Sequence, residues 1–150
     1  MVAMWCLSWI VQAWTCRQAH LHLSNFVNSK LAGANFTNAY FANSSCIKCD
    51  LTGVMFTRAD MTIAKLVECD LSHVAFDHAN LDRAAILEST LAEATLRQAQ
   101  LKQTAIVSTD LSASFMEGAI CSNTIFVKSN LKGLKLKNMQ LQVTQFIGAD

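Results

Sequence analysis

From Leu21 onward every fifth residue is apolar, through Phe26, Leu31, Phe36 and Phe41 to Phe146, twenty-six positions without a gap or a phase slip. In a chain that is 52% hydrophobic, chance would leave about half of these positions polar. Two residues ahead of each apolar position sits a small side chain (Ala19, Ser24, Ser29, Ala34, Ala39, Ser44, Cys49 and onward), interrupted only at Leu134 and Met139. A period of five matches neither the 3.6 of a helix nor the 2 of a strand. A five-residue unit with two inward and three outward residues forms one short side of a polygonal coil instead.

A slower period counts the sides. Ala19, Ala39, Ala59, Ala79, Ala99 and Ala119 share one column, and Leu31, Leu51, Leu71, Leu91, Leu111 and Leu131 share another. Phe36, Phe56 and Phe76 begin a third column that continues as Leu96, Met116 and Leu136. Identical residues twenty apart are what stacked coils of four sides produce, so the pattern predicts an all-β square coil. Coils joined through backbone hydrogen bonds lie about 4.8 Å apart. Six and a half of them over residues 19–150 make a rod roughly 30 Å long. Each coil is stabilised by its neighbours alone, and the interior is a dry column of Leu and Phe with no room for a ligand.

The units themselves carry a resemblance. Ala34-Asn35-Phe36-Thr37-Asn38, Ala59-Asp60-Met61-Thr62-Ile63 and Ala79-Asn80-Leu81-Asp82-Arg83 match an A-(D/N)-L-x-x unit, and Ala19-His20-Leu21-His22-Leu23 is a near copy. The chain resembles the pentapeptide-repeat proteins over residues 19–150. The resemblance implies a right-handed quadrilateral β-helix, in agreement with the twenty-residue columns. Ile120-Cys121 and Lys135-Leu136 depart from the unit and point to looser packing towards the C-terminal end.

Composition adds a constraint on the corners. Pro is absent and only 5 Gly are present, so Asn, Asp, Ser and Thr are expected to make the turns. No linker or low-complexity stretch marks a second domain. Of the six cysteines, Cys49 and Cys69 fall at the small inward site and Cys46 at the large one, which reads as small buried hydrophobes in a reducing compartment. Cys46 and Cys49 form a C-x-x-C, but no second pair or His follows at zinc spacing, so no metal is expected.

The two ends differ from the array. Residues 1–18 lack the five-period and carry Trp5, Trp9 and Trp14 with no charge before Arg17. They are expected to form an apolar, helical cap or docking segment, with Trp5 and Trp9 on one helix face. A signal peptide lacks its positive start, and the stretch is short for a bilayer, though a membrane anchor through residues 1–18 stays open. At Ala149-Asp150 a further unit begins without its central residue, which fits truncation or end-to-end pairing.

Outward residues of such a rod sit on convex faces, whereas catalysis needs groups converging in a cleft. His73 and His78 occupy the same outward slot on adjacent sides, pointing away around a corner. No nucleophile elbow or phosphate loop is present. The expectation is a non-enzyme with no cofactor and no small-molecule substrate. Acids gather between Asp50 and Glu93, and Lys128, Lys132, Lys135 and Lys137 gather near the end, within a net charge of +1. The resemblance implies one alternative, mimicry of DNA towards a type II topoisomerase. That needs a long negative surface, and the charge balance argues against it and against nucleic acid as a partner.

One outward column stands apart. Val27, Ile47, Val67, Leu87, Val107, Val127 and Ile147 all directly follow the central residue of the same side. Corresponding positions on the other sides are mainly polar or small. Self-stacking of β-branched residues on a pleated surface would explain the ladder, and so would docking of a protein partner, a second copy, or residues 1–18. The leading expectation is a cytoplasmic, bacterial protein–protein interaction scaffold, acting on a protein partner or as a homodimer. A translocated effector or membrane-associated scaffold is the remaining alternative.

Overall fold

The computed structural model describes residues 15–150, which form a single parallel β-helix with no helix among the described residues. Every coil takes twenty residues: Thr15 bridges Asn35, Lys30 bridges Asp50 and Asp110 bridges Asn130, all in parallel. Four sides make each coil, and each is named here by its central residues. The first side is centred on Phe26, Cys46, Leu66, Ile86, Ile106, Phe126 and Phe146, the second begins at Leu31, the third at Phe36 and the fourth at Leu21. This is the square coil expected from the spacing and the right-handed quadrilateral β-helix that the resemblance implies.

One unit shows how five residues close a side. The N–H of Leu51 donates to the carbonyl of Asp70 at 2.8 Å and that of Gly53 to the carbonyl of Ser72 at 2.9 Å, both in the next coil. The N–H of Asp50 donates back to the carbonyl of Ser29 at 2.9 Å, in the preceding coil. At the corner, the N–H of Val54 donates to the carbonyl of Leu51 at 3.1 Å. That leaves the N–H of Thr52, which the Asp50 carboxylate accepts at 3.2 Å. The same short loop recurs at Asn35–Thr37, Asp60–Thr62, Asp70–Ser72, Asn80–Asp82 and Asp110–Ser112. Asp or Asn ahead of the central residue is therefore a cap for a backbone donor the coil cannot otherwise use.

Corners are left-handed without exception. Every fifth residue from Gln18 to Gly148 has positive φ, including all five glycines and 22 other residues with φ between 50° and 60°. The turn chemistry expected from composition holds only in part. Asn28, Asn38, Asn43, Asn123, Asn138 and Ser108 do stand at corners, but so do Glu68, Lys48, Arg58 and His73, and even the branched Ile63 and Val143. The aspartates from Asp50 to Asp110 serve as backbone caps instead, as does Thr90. Bonds to the next coil at the central and corner N–H groups hold the corner in place, so residues that avoid this conformation are forced into it.

Inward residues fill the rod. Phe36, Phe56 and Phe76 stack with ring centroids 5.3 and 5.4 Å apart, and Phe41 meets the edges of Phe36 and Phe56 at 6.0 and 5.4 Å. From Phe36 to Phe126 the central residues are fully or almost fully buried. In the last coil, Leu136, Leu141 and Phe146 are 48%, 50% and 47% exposed. At the other end, the segment expected to be helical overlaps the described residues at 15–18, and there the chain is already coiled. Thr15 bridges Asn35, Cys16 N–H donates to the Asn35 carbonyl at 2.7 Å, and Gln18 takes the left-handed corner. Residues 1–14, with Trp5, Trp9 and Trp14, lie outside the described residues.

A left-handed corner costs a branched L-residue on the order of 1–2 kcal/mol, and Asn far less. Ile63→Asn is therefore expected to stabilise the rod by about 1 kcal/mol in chemical denaturation. An unchanged or lowered midpoint would show that Ile63 packs well enough to outweigh its strain.

Candidate interaction surface

The first side differs from the other three in its backbone. Its three-residue segments β1 (Asn25–Val27), β2 (Ser45–Ile47), β3 (Lys65–Val67), β4 (Ala85–Leu87), β5 (Ala105–Val107), β7 (Ile125–Val127) and β9 (Gln145–Ile147) form one continuous seven-stranded sheet. The remaining two strands, β6 (Ile120–Ser122) and β8 (Gln140–Gln142), pair on the fourth side in the last coils. Elsewhere the sides meet only through isolated bridges.

On the first side the sheet ladder occupies the backbone groups that other sides give to their corner bond and their Asx loop. Two consequences follow in the sequence. No carboxylate cap is needed ahead of the central residue, so Lys65, Ala85, Ala105 and Ile125 take that place. And the small inward residue just past the corner must find another partner for its N–H. Cys69 N–H donates to the Ser89 hydroxyl at 3.1 Å and Thr109 N–H to the Ser129 hydroxyl at 3.4 Å. The column there runs Ser29, Cys49, Cys69, Ser89, Thr109 and Ser129 before it ends at Ala149.

The expected ladder lies where the spacing places it, outward on the strand ends of this sheet. Ile47, Val67, Leu87, Val107 and Val127 are half-buried by their neighbours, while Val27 and Ile147 at the two ends are 55% and 52% exposed. In register, each stacks on the next: Val27 on Ile47, Val67 on Leu87, Val107 on Val127. The structure adds a second column that reading the ladder alone missed. Ala85, Ala105 and Ile125 precede the central residues of β4, β5 and β7 and also face outward. Over three coils the first side is thus apolar across its full width.

Comparison with known proteins bears on the fold. A family model for the pentapeptide repeat region matches residues 19–106, more than half of the chain. The chain belongs to the pentapeptide-repeat family. Among solved structures it is similar to trypsin-treated QnrB1, a plasmid-mediated fluoroquinolone resistance protein, with TM-score 0.60 and 19% identity over 92% of this chain and 88% of that one. It is also similar to a pentapeptide repeat protein from the thylakoid lumen of Arabidopsis thaliana, with TM-score 0.62 and 17% identity over 65% of this chain and 68% of that one. At these identities the likeness is one of fold. Comparison with curated proteins found no matching sequence.

Within this pentapeptide-repeat rod the other candidate groups resolve into structural roles. Cys49 and Cys69 stand in a serine column and behave like its hydroxyls: their Sγ atoms donate to the carbonyls of Phe26 and Cys46 at 3.4 and 3.3 Å. The Cys69 thiol is pushed up by its hydrogen bond with Cys49 and by burial. Cys46 is held up in the same way, and burial pushes Cys121 up to about 12. Among the described residues no cluster of three or more His, Cys, Asp or Glu is arranged to hold a metal ion. His73 and His78 both sit at exposed corners, and His73 Nδ1 lies 3.6 Å from a Glu93 carboxylate one coil on. No helix of the described residues is long and apolar enough to cross a membrane.

The aspartates from Asp50 to Asp110 are spent on the backbone. Asp50, Asp60, Asp70 and Asp110 cap their own units, while Asp77 and Asp82 accept the N–H groups of Arg97 and Lys102 in the next coil, at 2.9 and 3.0 Å. The backbone N–H and the hydroxyl of Ser72 hold the Asp70 carboxyl below its usual value. A carboxylate lowered in this way stabilises the fold above the unfolded pKa of about 4, and that contribution is lost as pH falls through the lower folded value. Asp70→Ala should cost about 1 kcal/mol at neutral pH, the loss of one cap, whereas Asp70→Asn should cost little and remove part of the acid sensitivity below pH ~4. Urea denaturation at pH 7 and pH 3 reads both. Equal destabilisation by Ala and Asn would contradict the capping role.

Proposed function

We propose that the protein is a non-catalytic protein–protein interaction scaffold that presents the first side of the rod to its partner. The observation that carries this reading is the apolar width of that side over β4, β5 and β7, on the one side that forms a continuous sheet. Stacking of β-branched residues accounts for a ladder, but it does not call for Ala85, Ala105 and Ile125 beside it. A contiguous apolar face rimmed by charge is the usual mark of a protein contact. Among the described residues, convex outer faces and a filled interior leave no cleft in which reacting groups would converge, which supports a role without catalysis. Rigidity suits the task, because a preformed flat sheet loses little conformational entropy on binding.

Mimicry of DNA draws less support from the surface. The Asp carboxylates are distributed over three sides as backbone caps, the Glu side chains lie apart from them at corners and in ion pairs, with Arg58, Arg83 and Arg97 interspersed, and the acids do not form one negative stripe. Such a stripe is what imitation of phosphate charge demands.

The triple variant Val67→Lys, Leu87→Glu, Val107→Lys tests the scaffold reading, with charges alternating in sign to avoid like-charge stacking. It should keep the far-ultraviolet circular dichroism of the rod while weakening protein association at least tenfold, in sedimentation of the purified chain and in capture of its partner. Unchanged behaviour in both measurements would sink the reading.

A further inference from the structure

Charges along the edge of the first side point to what covers it. The corner residues there run Asn28, Lys48, Glu68, Glu88, Ser108, Lys128 and Gly148. Lys48 and Glu68 pair across adjacent coils, with Nζ 3.5 Å from Oε2. Glu88 and Lys128 have no ion-pair partner among the described residues, and both are exposed. They cannot reach one another within the rod by adjacency, because two coils, about 9.6 Å, separate them with Ser108 between. Glu88 also stacks beside Glu68, a like charge that leaves it in need of a cation.

Resting on the scaffold reading above, we propose that the partner is a second copy of this chain, packed first side against first side. The rods run antiparallel about a two-fold axis through β5. That axis is the one at which the exposed charges satisfy each other twice. It sets Ser108 against Ser108 and places each Glu88 opposite Lys128 of the other copy. The apolar residues fit in the same register. The bulky Ile125 meets the small Ala85, Leu87 meets Val127, and Ala105 and Val107 meet their own copies on the axis. An isologous interface requires such self-complementarity of one patch, and a random patch does not have it. Shifting the register by one coil sets Glu68 against Lys128 but leaves Glu88 opposite Ser108 and loses the pairing of Ile125 with Ala85.

The contact is small. Five coils span about 20 Å, and so narrow a face buries well under the roughly 800 Å² per partner of a standard interface. The expected dimer is therefore weak, with a dissociation constant in the micromolar range and a marked loss of affinity on adding salt.

Analytical ultracentrifugation of the full chain and three variants tests the proposal. The wild-type chain should dimerise, Val107→Lys should be monomeric, and E88K and K128E should each dimerise about tenfold more weakly. An equimolar mixture of E88K and K128E should recover association as a heterodimer, because each lysine again meets a glutamate. A full chain that stays monomeric to about 1 mM overturns the proposal, whether residues 1–14 or another protein cover the face. So does a mixture of the charge variants that associates no better than either alone. The scaffold reading fails separately: it survives a monomeric chain whose capture of a different protein is lost in the triple variant, and not one whose capture is unchanged.

Discussion

The bond that everything else in this rod depends on is the one between coils. In each unit the central and corner N–H groups donate to the coil ahead, and the residue before the centre donates to the coil behind. Leu51, Gly53 and Asp50 do so at 2.8, 2.9 and 2.9 Å. A side that is only five residues long cannot sustain a strand or a hydrophobic face alone. Stacking supplies both, and it also fixes each side chain above its counterpart twenty residues earlier. The phenylalanine stack from Phe36 to Phe76 and the hydroxyl and thiol column from Ser29 to Ser129 are consequences of that alignment.

The same constraint divides the surface by function. On the other three sides the backbone leaves an N–H group over, and at Asn35, Asp50, Asp60, Asp70, Asn80, Thr90 and Asp110 the residue ahead of the centre caps it, although Met55, Ala75 and Phe115 hold that place on the third side without a cap of this kind. Where Asp, Asn or Thr caps in this way, the position is committed to the fold. On the first side the sheet ladder occupies the backbone fully, so the outward residues are released from capping. Lys65, Ala85, Ala105 and Ile125 use that freedom. The candidate interface therefore sits on the side where the fold asks least of the outward side chains. The price is the corner that follows, where Cys69 and Thr109 need hydroxyls of the next coil to satisfy their N–H groups.

Much of this was legible in the residues. A filled core seen along one axis imposes a strict beat, so Leu21 through Phe146 and the alanine column at Ala19 to Ala119 specify a square coil. The aliphatic ladder was legible for the same reason, since outward residues stack too. Three features were not. Left-handed corners at Glu68, Lys48 and Ile63 carry no mark of their own, because only Gly and Asn advertise that conformation and here the coil imposes it. The acids of the middle coils read as surface charge, although Asp50, Asp70 and Asp77 are backbone caps. Ala85, Ala105 and Ile125 were overlooked because the ladder was followed one column at a time. The available signal was that both outward columns of that side are apolar over the same three coils, Ala85 with Leu87, Ala105 with Val107 and Ile125 with Val127. Residues 15–18 escaped although Cys16 stands on the apolar beat five residues before Leu21, because Trp14 in the sequence takes the place of the small residue two positions ahead of it.

Hydrogen exchange resolved along the chain tests most directly whether inter-coil bonding holds the structure. If each coil is stabilised by its neighbours, residues twenty apart exchange in related fashion and protection forms a plateau over 51–110. It then falls by whole coils towards 131–150, where Leu136, Leu141 and Phe146 are uncovered. Protection as strong in the last coil as in the middle, or following blocks unrelated to the twenty-residue coil, would contradict the account.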